Sequence, residues 1–283
     1  MMRGCILSVL GLIASGLWAG PMRTKASSPV VRETVLAVLA PFDPKGGHVQ
    51  GMCSDGTDFY LTQMTGIFKV DGAGRPIRSV KAISHTGDVC WHDGKLYSSV
   101  SVYGGPDKGK GKIQVFDADL NLVRERTYPR GMDGIAFFDG KLYVGRGSHL
   151  ETVPPGPDGK PQSKTPHLEN EMAIVDPETL ELLELKTYGH GRKTKYGAQN
   201  IATDGKLLYV SFYPGEKDAP DLVAYDRDLK PVRSFNAKAS NGLEFVGMRD
   251  GTPRFIKCET VKKDGGISAR IVPAELKPSA VAN

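Results

Sequence analysis

Five short polar stretches hold the side chains best suited to acid–base or coordination chemistry: HVQG at 48–51, HTGD at 85–88, GMDG at 131–134, GAQN at 197–200 and ASNG at 239–242. Each runs straight into an apolar residue, respectively Met52, Val89, Ile135, Ile201 and Leu243, as the start of a strand would. A histidine beside a carboxylate is well matched to proton transfer near neutral pH, and His48 or His85 with Asp88 offers that pair. Asp88 and Asp133 with the amide oxygen of Asn200 would instead form a hard-oxygen set of the kind calcium takes. Gln50, Gln199 and Asn241 add amide donors and acceptors for a ligand.

These stretches lie far apart in sequence, so the fold has to gather them. A repeat supplies the means. GMCSDGTDFYLT from Gly51, DVCWHDGKLYSS from Asp88, GIAFFDGKLYVG from Gly134, NIATDGKLLYVS from Asn200 and, more loosely, GLEFVGMRDGTPRFI from Gly242 align on an Asp-Gly pair between two apolar strands. Asp-Gly in that setting signals a hairpin, because both residues tolerate the positive φ of a type I′ turn. A second hairpin with an aspartate-led turn follows most copies, from Gly66, Lys112, Glu171 and Asp221.

Four strands per copy make one antiparallel sheet. The first-hairpin aspartates, Asp55, Asp93, Asp139, Asp204 and Asp250, are separated by 38, 46, 65 and 46 residues. Those gaps suit the roughly 40–45 residues of a propeller blade, with one insertion too short to hide another blade. The expectation is an all-β fold: a five-bladed β-propeller of four-stranded antiparallel blades. The last copy has only three strands, and the spare segment at 32–42, RETVLAVLAPF, is expected to complete it and close the ring.

In such a ring the five polar stretches meet at one end of the central axis, the top. The longest irregular segments, 104–111, 151–170, 188–197 and 214–220, join strands at that same end, where binding usually resides. The ends of the second strands add Gln63, Tyr103, Arg146, His149 and Tyr213 to the upper rim. Arg146, between Gly145 and Gly147, is placed to take a carboxylate bidentately.

Residues 1–20 read as a signal peptide: Arg3 precedes an uncharged, mostly apolar run from Cys5 to Trp18, then Ala19 and Gly20. That run is too short for a membrane anchor. The expectation is an exported, periplasmic or extracellular protein with residues 21–283 as a single propeller domain and no stable membrane insertion. The net charge of +5 falls to +4 without Arg3, too mild to imply nucleic acid as a partner. Cys53, Cys90 and Cys258 remain; Cys53 and Cys90 hold equivalent places in neighbouring blades, so a bridge, if one forms, is expected between Cys53 and Cys258.

With VQGM at 49–52, SNGL at 240–243 and DPETL at 176–180, the chain resembles the glutamine cyclotransferase family of exported five-bladed propellers. The resemblance implies a top-face pocket and cyclisation of N-terminal glutamine. Gln63 stands where that family places an acid, and Trp91 is the only tryptophan beyond the signal segment. The sequence therefore predicts a propeller binding a small polar ligand, peptide or glycan in a top-face pocket, with calcium as an optional companion. The alternative is a cyclotransferase-like or hydrolytic enzyme using His85, Asp88 and His48.

Overall fold

The computed structural model describes residues 47–64, 66–81, 83–146, 170–189, 196–213, 220–263 and 266–279. Five antiparallel sheets are arranged in a ring, a five-bladed β-propeller. Blade one comprises β1 (Val49–Ser54), β2 (Phe59–Gln63), β3 (Gly66–Val70) and β4 (Pro76–Lys81). Blade two comprises β5 (His85–His92), β6 (Lys95–Ser101), β7 (Gly111–Phe116) and β8 (Leu122–Tyr128). Blade three follows with β9 (Met132–Phe138), β10 (Lys141–Arg146), β11 (Glu171–Val175) and β12 (Leu182–Thr187). Blade four holds β13 (Ala198–Thr203), β14 (Leu208–Phe212), β15 (Leu222–Tyr225) and β16 (Pro231–Asn236), and blade five β17 (Leu243–Arg249), β18 (Thr252–Lys263) and β19 (Gly266–Ala274). The inner strands β1, β5, β9, β13 and β17 surround the axis, each next to its neighbour.

The hairpin turns divide into two kinds. At Asp93-Gly94, Asp139-Gly140 and Asp250-Gly251 both residues have positive φ, the expected type I′ geometry. At Asp55 and Asp204 only the glycine does. There the aspartate side chain shapes the loop: Asp55 Oδ1 accepts from the N–H groups of Thr57 and Asp58, and Asp204 Oδ1 from those of Lys206 and Leu207. The other carboxylate oxygen takes a tyrosine hydroxyl from the following strand, Tyr60 or Tyr209.

Successive strand residues face opposite sides of a blade, so each blade feeds two interfaces. In β2, Phe59 and Leu61 pack towards blade five while Tyr60 packs towards blade two. Five apolar clusters result, one between each pair of neighbours. The cluster between blades five and one, where Val49, Met52 and Leu61 meet Ile256, Cys258 and Ile271, closes the ring by packing. The Val49 N–H donates to Thr260 Oγ1 across the same junction.

Blade five has three strands among the described residues. The segment 32–42 expected to supply its fourth, and the signal segment 1–20, lie outside those residues. The chain does something else after β19: β20 (Lys277–Pro278) crosses to blade four and pairs with β16, giving that sheet a fifth strand. Cys53, Cys90 and Cys258 are buried free thiols, which corrects the expected bridge. The reason is alternation: Cys53 packs between blades one and two, whereas Cys258 packs between blades five and one.

Candidate functional site

The polar stretches reach the axis through a repeated irregularity. Val49 pairs with Gln63 and Gly51 with Thr62, so Gln50 is an extra residue in β1. Gln199 is likewise extra in β13, between the pairs Ala198–Phe212 and Asn200–Ser211. In β5 one extra residue falls within Gly87-Asp88, and in β9 within Asp133-Gly134. Four of the five inner strands thus bulge at the same level, and a bulge re-aims side chains next to it. Hydroxyls on the second strands lock these bulges between blades: Thr62 donates to the Gly87 carbonyl and Ser99 to that of Asp133.

At the axis lie Asp88 and Asn200, 1% and 0% exposed. Asp88 Oδ2 accepts from the backbone N–H of Ile201 at 2.9 Å and of Ile135 at 3.3 Å, so a blade-two carboxyl reaches blades three and four. The N–H groups of Val89 and Met52 face the same carboxyl. Burial pushes Asp88 well above the ordinary carboxylate range, and these amides oppose the rise. Asn200 Nδ2 donates to the carbonyl of Gln50 in blade one at 2.6 Å and to that of Gln199. Gly51 makes room for this arrangement, since a Cβ there would lie 2.5 Å from both Cα and Oδ1 of Asp88.

A surround of N–H donors suits an anion or a neutral acid and works against a cation. Of the three expected calcium ligands, Asp88 Oδ1 and Asn200 Oδ1 are buried with no hydrogen-bond partner among the described residues, while the Asp133 side chain turns to Ser101 and His85. Among the described residues no three His, Cys, Asp or Glu side chains gather as a metal site. From the far side Glu244 on β17 approaches Asp88, and burial, then the Asp88 charge, push it up to about 8.

Around the upper ends of the inner strands the reactive side chains assemble. Asp133 is 6% exposed; its Oδ1 accepts from Ser101 Oγ at 3.0 Å, and His85 Nε2 stands 3.8 Å away, too far for a hydrogen bond. Burial raises Asp133 to about 7, against the pull of the Ser101 hydroxyl. Burial and then the nearby His48 lower His85 to about 4, so its imidazole is neutral at pH 7. His48 is also lowered, by burial and then by Lys262, and its Nε2 lies 2.6 Å from the Tyr213 hydroxyl. The His85 ring tilts against Tyr103 at 5.0 Å, and Tyr196 meets Tyr213 edge to face at 5.4 Å.

The remaining expected residues are spread differently. Arg146 is held by Glu171, 3.2 Å away, which also binds Arg130 at 2.9 Å, so it serves an ion pair within blade three. Gln63 is fully buried and donates to the Gly47 carbonyl. Gln199 turns back to the carbonyls of Tyr196 and Gly197, and Asn241 donates to Thr260. Gln50 is buried with Nε2 unpaired. His149 lies outside the described residues. Ser101 and Tyr196 belong to none of the five polar stretches; the signals for them are Ser101's place at the top end of a second strand and Tyr196's position immediately before GAQN.

No protein-family model matches the chain, and no curated protein does. Solved structures do. Glutaminyl cyclase from Myxococcus xanthus is 11% identical with a TM-score of 0.55, over 87% of this chain and 96% of that one. CoXyl43, a GH43 β-xylosidase/α-arabinofuranosidase from a compost microbial metagenome, is 13% identical with a TM-score of 0.52, over 89% and 99%. At these identities the likeness is one of fold, and function has to be argued from the site.

Proposed function

We propose that this propeller, acting after export, binds a small polar ligand at the top end of its axis, among His48, His85, Tyr103, Asp133, Tyr196 and Tyr213. The supporting observation is unspent hydrogen-bonding capacity. Gln50 Nε2, His85 Nδ1 and Thr86 Oγ1 are buried without a partner, all at the upper ends of blades one and two. Orphaned polar atoms are costly and uncommon in folded proteins, and a bound molecule would relieve them. The test is a thermal-shift screen of sugars, amino-acid derivatives and short peptides, repeated on His85→Ala. A ligand should raise the melting temperature of the wild type, and the rise should shrink in the variant. A panel without a hit, or hits indifferent to His85, would overturn the reading.

A second reading, acid–base turnover in the same place, is favoured by Asp133, a buried carboxyl titrating near neutrality beside His85. The folds of glutaminyl cyclase and the GH43 enzyme suggest two assays: ammonia release from a glutaminyl peptide, and release of nitrophenol from an aryl xyloside. Activity abolished in Asp133→Asn would establish this reading; no turnover of either substrate would leave binding as the function.

A further inference from the structure

We propose that the group recognised at this site is an organic ammonium, with Asp133 as its counter-ion among the rings of Tyr103, Tyr196 and Tyr213; this rests on the binding reading above. The Asp133 side chain is 9% exposed. Its Oδ1 has the Ser101 hydroxyl, but among the described residues none donates to Oδ2 and no Lys or Arg pairs with the carboxyl. A buried carboxylate without a cation is expensive. A sugar hydroxyl would complete a hydrogen bond and leave the charge unpaired, whereas an ammonium answers both needs.

The surroundings point the same way. Tyr103 and Tyr213 lie within electrostatic reach of Asp133, and Tyr196 packs on Tyr213. Aromatic faces attract cations and repel anions, so a ligand carboxylate or phosphate would meet phenol rings and a like charge. The other charged or titratable groups among the described residues do not cancel this preference. His85 and His48, from blades two and one, are both shifted towards the neutral form. Lys262 of blade five acts on His48, while Arg130 and Arg146 of blade three are both engaged by Glu171.

Calorimetric titration at pH 8 with choline, ethanolamine, the uncharged tert-butyl analogue of choline, and xylose tests the inference. The ammonium compounds should bind about tenfold or more tightly than the neutral ones. Asp133→Asn should erase the preference. Tyr103 is 53% exposed, so its variants should fold: Tyr103→Phe should keep the preference and Tyr103→Leu weaken it several-fold. Equal binding of choline and its neutral analogue, a tighter fit for xylose, or a preference surviving in Asp133→Asn would overturn the ammonium inference and leave the binding reading standing. Binding of none of the four, with the wider ligand screen also blank, would defeat both.

Discussion

Asp133 and Asp88 are the same residue type, in equivalent polar stretches, and the sequence marks them alike. Their surroundings separate them: backbone amides from two other blades pin Asp88 Oδ2 at the axis, while Asp133 has a single hydroxyl on Oδ1. Because burial lifts Asp133 to about 7 in the folded state, above about 4 when unfolded, folding favours its protonated form. The stability this provides is whole below about pH 4 and is lost as pH rises through about 7. Urea unfolding at a series of pH values should therefore show Asp133→Asn gaining on the wild type between those limits and level outside them. Ser101→Ala removes the one hydrogen bond opposing the shift, so the pH midpoint of ammonium binding should move upward, measurable by calorimetry. Residue types reveal candidates for chemistry; which partners each one meets depends on strands brought from other blades.

Among the elements, the hairpins were legible because an Asp-Gly pair between apolar runs has a backbone reason to turn. The bulges were not. An extra residue in β1 or β13 leaves no mark in composition and exists only relative to the register of β2 or β14. The glycines beside the bulges are testable. At Gly51 a new methyl would meet the Asp88 backbone and its pinned carboxyl, whereas at Gly134 the nearest atom, at 2.8 Å, belongs to the Ile201 side chain, which has rotamers to use. Gly51→Ala should cost about 2–3 kcal/mol in denaturant unfolding and Gly134→Ala less.

For the molecule as a whole, blade number was readable from the spacing of turn aspartates; the segment 32–42 expected to close the ring lies outside the described residues, and packing between blades five and one joins its ends. The crossing of β20 to β16 was not readable, since two residues without a strand pattern are involved. Removing residues 277–283 should expose the β16 edge and loses the Ser279 N–H bond to the Ser234 carbonyl. A fall of about 1 kcal/mol is expected, with faster proteolysis near residues 231–236. Asp88→Ala should cost about 3 kcal/mol or more, because it abandons buried N–H groups in two other blades. The same carboxyl, with Asn200, stitches blades one to four to one another at the axis, so a load that pulls any one of these blades outward is shared by its neighbours.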